Sequence, residues 1–178
     1  PAWPYLVSGD LLAGEKILSS YAIEMKGRWS SQIEARGGEA QAFSGKVRLL
    51  FPADAVSQDL ALEVRTPDDV DAAPYYPDNF PFEITANAKS DGAPVERFAQ
   101  PFAIQVSYDP RRLPGDESSL QLFYYDTGLG TWVPLPSEVD TATHTLTGWS
   151  DHLTEFDIDV QTWQSARLPG LKGFQVSP

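Results

Sequence analysis

The sequence contains no cysteine, so it can form no disulfide, no thiolate metal site and no cysteine nucleophile. It holds only two histidines, His144 and His152, which excludes an all-histidine metal site. Neither a metal nor a cofactor is expected. Basic residues are scarce: 13 Lys and Arg stand against 25 Asp and Glu, for a formal net charge of -12. A surface of that sign repels phosphate backbones and anionic lipid heads, which argues against nucleic acid as a partner. No apolar run approaches the roughly 20 residues that a membrane-spanning helix needs, so no membrane span is expected. The opening PAWPYLVSGD has neither a positively charged start nor an initiator Met and is not a secretory signal. The chain therefore reads as a piece of a larger polypeptide. The lack of cysteine suits a cytoplasm and a bacterial surface equally.

What is present is the composition of a globular domain, with 42% hydrophobic and 21% charged residues over 178 positions. That length suffices for one core without metal or disulfide support. Fifteen Pro and thirteen Gly punctuate short alternating runs, the pattern of an all-β sandwich with little helix. The clearest strands are predicted over Lys46–Phe51, Leu60–Val64, Phe80–Ala86, Phe102–Tyr108, Leu120–Tyr125, Thr131–Leu135, Thr143–Trp149 and Glu155–Val160. Weaker candidates lie over Ser19–Met25 and Arg28–Glu34. In Phe102, Ile104, Val106 and Tyr108 every second residue is apolar, as on one face of a half-buried strand. Leu60, Leu62 and Val64 repeat the pattern, and so do Phe156, Ile158 and Val160. Turn residues at Asp109-Pro110, Leu113 to Asp116 and Asp126 to Gly128 separate the runs, and Leu120 to Leu135 reads as a hairpin. The expected organisation is an N-terminal connector over 1–18, a β-sandwich over 19–160 and a C-terminal connector over 161–178.

Two stretches carry a resemblance. FSGKVRLLFPADAV, from Phe43 to Val56, with ALEVRTP after it, resembles the opening of ZU5-type domains. The run from RFAQPFAIQVSYDP through LQLFYYDTGLGTWVPLPSEVD to TGWSDHLTEFDI resembles the end of the same superfamily in bacterial surface proteins. Within it HLTEF, His152 to Phe156, looks like the self-cleavage site of GAIN domains, and the related ZU5 motif is His-Phe-Ser. The resemblance implies an antiparallel ZU5/GAIN-like sandwich that cuts its own backbone between Leu153 and Thr154. Thr154 would be the nucleophile, His152 its base and Leu153 the donor of the scissile carbonyl. It further implies an extracellular or cell-surface bacterial protein whose partner is the remainder of its own polypeptide, with a separate protein partner as a further option. The GAIN motif flanks its site with two cysteines, and here those positions are Gly148 and Ser150. Rigidity would have to come from packing, with Trp149 and Trp132 as candidates. The tail LPGLKGFQVSP resembles the connector ahead of Rhs or YD-repeat shells in large toxin-like proteins.

On a regular strand His152 and Thr154 share a face, but two residues of rise put them about 6.6 Å apart, too far for a direct hydrogen bond. Chemistry therefore requires a kink at Leu153-Thr154. With it, a neutral imidazole would take the Thr154 proton, the hydroxyl oxygen would attack the Leu153 carbonyl, and water would hydrolyse the resulting ester. Strain of roughly 1 to 3 kcal/mol is too small to drive this alone, so positioning has to dominate. A central Glu155–Val160 strand would keep the two fragments together.

Plainer readings stand beside these. His152 is equally a turn histidine, and the whole chain an uncleaved structural or adhesive module that spaces or docks a larger secreted protein. His144 in ATHTLTG is read as an exposed cross-strand residue. Ser150, Asp151 and His152 are not read as a hydrolase triad, because adjacent strand residues point to opposite faces. The clusters Asp68, Asp69 and Asp71, and Asp157 with Asp159, lack a calcium-loop signature and read as solvated faces. Asp71 to Phe82, rich in aromatics and prolines, reads as an edge-strand cover in preference to a carbohydrate- or peptide-binding loop.

Overall fold

A computed structural model describes residues 27–67, 81–113 and 115–160, together with the backbone of two strands, β1 (Val7–Ala13) and β2 (Lys16–Ile23). The described residues are mostly strand: β3 (Arg28–Ile33), β4 (Gly38–Ala42), β5 (Val47–Phe51), β6 (Leu60–Arg65), β7 (Phe82–Ala88), β8 (Arg97–Ser107), β9 (Leu120–Asp126), β10 (Thr131–Pro134), β11 (Ser137–Asp140), β12 (Thr145–His152) and β13 (Glu155–Val160). Among the described residues helix is limited to three 3-10 turns of three residues each, at Phe43–Gly45, Pro110–Arg112 and Glu117–Ser119. Among the described residues no helix is long and apolar enough to cross a membrane.

Two antiparallel sheets form a β-sandwich. One has six strands in the order β10-β9-β13-β7-β6-β3 and the other five in the order β11-β12-β8-β5-β4. The hairpin β1-β2 is a separate two-stranded ladder, so the N-terminal connector expected over 1–18 contains a strand. Alternation decides which side chains meet between the sheets: Leu60, Leu62 and Val64 of β6, Phe102, Ile104 and Val106 of β8, and Phe156, Ile158 and Val160 of β13 are all buried in one core. Each such side chain contributes about 1.5–3 kcal/mol. Phe51 stacks on Phe102 at 4.7 Å, and Phe82 on Phe156 at 5.8 Å. Phe82, which falls in the predicted strand Phe80–Ala86 and also ends the stretch read as an edge-strand cover, is a fully buried core residue of β7; residues 71–80 of that stretch, and Asp68 and Asp69, lie outside the described residues.

The chain changes sheet at several corners. Glu34 to Gly37 turns β3 into β4, with Gly37 donating to the Glu34 carbonyl at 2.9 Å. Gly37 has φ +89°, and a Cβ there would lie 2.5 Å from the Phe51 carbonyl oxygen, so only glycine fits. The predicted hairpin is present as β9 and β10, paired from Thr131–Asp126 to Pro134–Phe123. Its tip is closed by Asp126, whose carboxylate accepts from the Gly128 and Leu129 amides at 2.9 and 3.0 Å.

β13 is central. It pairs with β9 along Phe156–Tyr124 to Val160–Leu120 and with β7 at Glu155–Glu83 and Phe156–Phe82. Its outward residues depart from expectation. Asp157 and Asp159 are 2% and 9% exposed, so the reading of a solvated acidic face is corrected. Burial raises the Asp159 carboxyl above its ordinary range, and Asp157 accepts the Ile158 amide at 2.8 Å.

Candidate functional site

The His-Leu-Thr tripeptide lies where the chain leaves one sheet and enters the other. β12 ends at His152 in the five-stranded sheet and β13 begins at Glu155 in the six-stranded sheet, so Leu153 and Thr154 form the crossover. A kink at the expected bond is therefore present. His152 and Thr154 no longer belong to one strand, and the face-sharing geometry expected of them does not apply.

The bend starts one residue earlier, in an irregular ladder. Ser150 pairs with Phe102, but His152 pairs with Arg97, where a regular antiparallel register would bring Gln100. Ser150, 3% exposed, clamps the irregularity: its hydroxyl donates to the His152 carbonyl at 2.8 Å and accepts from the His152 amide at 3.2 Å. The same irregularity brings Asp151 back onto its neighbour, with Asp151 Oδ1 at 2.9 Å and Ser150 Oγ at 3.3 Å from His152 Nδ1. The expectation that these three side chains point apart is corrected, because a bulged strand does not keep strict alternation. They still do not make a hydrolase triad. Serine and aspartate address the same ring nitrogen, whereas a triad uses opposite nitrogens, and the serine proton is already given to a carbonyl.

The ionised Asp151 accepts from Nδ1–H and leaves Nε2 as the lone-pair nitrogen of the ring. The hydrogen bond from His152, with the charge of Arg97 3.9 Å away adding to it, holds the Asp151 carboxyl below its usual range. The imidazole meets the Tyr124 ring edge-on at a centroid distance of 4.7 Å. Asp151, Arg97 and Tyr124 all act on His152, and sequence alone does not single them out. Asp151 is adjacent, but its reach depends on the bulge; Arg97 and Tyr124 arrive from β8 and β9 through tertiary pairing.

The presumed nucleophile is engaged elsewhere. Thr154 Oγ1 donates to the Tyr125 carbonyl at 3.0 Å, and no hydrogen bond joins it to the His152 ring among the described residues. The backbone around it is tied on both sides: the Leu153 amide donates to the Glu96 carbonyl at 2.8 Å, and the Thr154 carbonyl accepts from the Ile84 amide at 3.0 Å. Leu153 packs half-buried against the core. Among the described residues no hydrogen bond is made to the Leu153 carbonyl. The tripeptide thus acts as a tie: one bond runs to the strand edge beside β8, one to β9 and one to β7.

The two positions occupied by cysteine in the GAIN motif have their own packing reasons. At Gly148 a Cβ would stand 2.6 Å from Leu122 Cδ2 and 2.9 Å from Leu122 Cβ, on the facing sheet. A side chain there would push the sheets apart, and Ser150 is the bulge clamp. Trp149 and Trp132 are both half-buried; Trp132 packs edge-on to Tyr125 at 5.4 Å, on the strand whose carbonyl holds Thr154.

His144 departs from its reading as a strand residue. It closes the turn before β12 with φ +50°, and its ring Nδ1 lies 3.0 Å from Glu117 Oε2. Tyr108 donates its hydroxyl to the same oxygen at 3.0 Å. Burial, with Glu117 and Asp140 adding to it, raises the Tyr108 hydroxyl to about 12. Among the described residues no group of three or more His, Asp or Glu is placed to hold a metal ion. No protein-family model and no curated protein matches the sequence.

Proposed function

We propose that the chain is an uncleaved structural and docking module, a β-sandwich that spaces or presents other parts of a larger extracellular or surface polypeptide. The observation that carries this reading is the Thr154 hydroxyl, whose proton goes to the Tyr125 carbonyl at 3.0 Å instead of to an imidazole. A carbonyl oxygen is too weak a base to activate an alcohol, and the imidazole nitrogen that faces a partner is bound to Asp151. In this reading the tripeptide mechanically joins the two sheets.

A second reading has its own support. The strand is broken at Leu153 and Thr154, as cleavage between them requires, and Asp151 leaves Nε2 of His152 free to act as a base. Self-cleavage would need the Thr154 side chain to turn from Tyr125 toward that nitrogen, with the resemblance of HLTEF to GAIN sites as its further ground.

Intact mass under denaturing conditions separates the two. The structural reading expects a single species at full mass after prolonged incubation at neutral pH. Fragments 1–153 and 154–178 that vanish in Thr154→Ala would overturn it in favour of self-cleavage.

A further inference from the structure

A cavity of about 380 Å3 opens between the start of β9 and the edge strand β11, lined by Ser118, Ser119, Leu120, Gln121, Ser137, Val139 and Thr141. Its volume falls within the roughly 300–1,000 Å3 of small-ligand sites. β10 pairs with β9 only from Phe123 to Asp126, so the first residues of β9, paired with β13 on one side, have no β10 partner on the other, and the space is left there.

Two of the lining hydroxyls give their protons to the protein itself. Ser119 gives its hydroxyl proton to the Asp116 carbonyl at 2.7 Å and Ser137 gives its proton to the Leu135 carbonyl at 2.9 Å, while the Ser118 backbone amide donates to the Asp116 carboxylate at 2.9 Å. Ser137 also accepts the Leu122 amide at 3.1 Å. These hydroxyl protons are spent inside the protein, which leaves oxygen lone pairs for a visitor. Among the described residues the lining contains no Lys, Arg or His, while Asp116, Glu117 and Asp140 adjoin it in the chain. Arg111 and His144, on neighbouring elements, are committed to Asp109 and Glu117. Leu120 and Val139 supply an apolar part.

We propose that this cavity binds an alkylammonium group, with its hydrocarbon against Leu120 and Val139 and its N–H donors toward the serine oxygens. The ligand is a small free amine or the side chain of a lysine on a partner. The second source deepens the docking reading above and rests on it; the first does not. A net charge of -12 favours approach of either.

The test is a titration of 15N-labelled intact protein followed by backbone amide shifts. Three probes are compared: n-butylammonium chloride, a peptide-like lysine (Nα-acetyl-lysine methylamide) and neutral n-butanol. Saturable shifts are expected at Ser118, Ser119, Ser137, Val139 and Thr141 with both amines, weakened severalfold in about 0.5 M salt. Tighter binding of the lysine probe assigns a protein partner, and tighter binding of butylammonium a free amine. Thr141→Lys, at an exposed turn position, should fill the cavity with its own ammonium and abolish the shifts while the rest of the spectrum stays in place. Absence of saturable shifts at these amides, equal shifts with butanol, or undiminished binding in Thr141→Lys would overturn the proposal. None of these outcomes depends on whether the chain is cut at Leu153, which the mass measurement reads separately.

Discussion

Replacing Gly148 by alanine adds one methyl group in the narrowest part of the sandwich. The residue lies within β12 and has no positive φ, so the backbone accepts alanine without strain. On entropy alone such a change stabilises by about 0.4–1 kcal/mol. The new Cβ, however, would lie 2.6 Å from Leu122 Cδ2, 2.9 Å from Cβ and 3.3 Å from Cγ. The clash involves the root of that side chain as well as its tip, and Leu122 is fully buried, so a rotamer change does not relieve it. Overpacking of this kind costs about 1–3 kcal/mol. At roughly 2–4 °C per kcal/mol for a chain of this size, the melting midpoint should fall by roughly 2 to 12 °C. Leu122→Ala alone leaves a cavity and should cost about 2–5 kcal/mol. In the double variant the methyl at position 148 enters that cavity, so the combined loss should be smaller than the sum by about 1–3 kcal/mol. Urea unfolding of the four proteins, with equal slopes, measures all three quantities. Additivity within about 0.5 kcal/mol, or a Gly148→Ala protein as stable as its parent, would refute the contact between the sheets at this point.

Other expectations are as direct. Ser150→Ala leaves the buried His152 amide without its acceptor and should cost about 1–3 kcal/mol by urea unfolding, with amide exchange faster at His152 and Leu153 than in the rest of β12; unchanged exchange there would dismiss the clamp. Asp159 has a carboxyl raised by burial above the ordinary aspartate range, so between the unfolded and folded values the native state holds a proton that the unfolded chain has released. Its contribution to stability is therefore lost as pH rises through that window and stays lost above it. Asp159→Asn should raise the urea midpoint near pH 7 and have little effect below about pH 3; a variant less stable at neutral pH would contradict this. Thr154→Val removes the hydroxyl that ties the crossover to Tyr125 and should cost about 0.5–1.5 kcal/mol, whereas Thr154→Ser should keep most of that bond; equal losses in the two would remove the tie.

The sandwich was legible because its inward positions alternate: β5, β6, β8, β9 and β13 all carry apolar residues at every second place, and each was anticipated within two residues except at the start of β8. β8 begins at Arg97 because the irregular ladder opposite His152 extends it through Phe98 to Pro101, where no alternation signals a strand. β4 and β11 were missed for a different reason. Their residues, GEAQA and SEVD, are short and polar, and they are strands only because β5 and β12 offer edges to pair with. At the site, the bond where the chain turns was anticipated from the tripeptide. The partners of its side chains were not, because a bulge reversed the direction of Asp151 and a carbonyl from β9 captured Thr154.

The position of β13 has a consequence for biogenesis. β7 and β9 make no ladder with each other; each is hydrogen-bonded to β13, which comes last among the described strands. A chain emerging from the ribosome therefore holds two unfinished half-sheets with bare inner edges until residue 160 is free of the exit tunnel. Those edges are the surfaces most open to wrong pairing during synthesis. Closure of the domain is then a late insertion event, in which Phe156, Ile158 and Val160 enter a gap already framed on both sides.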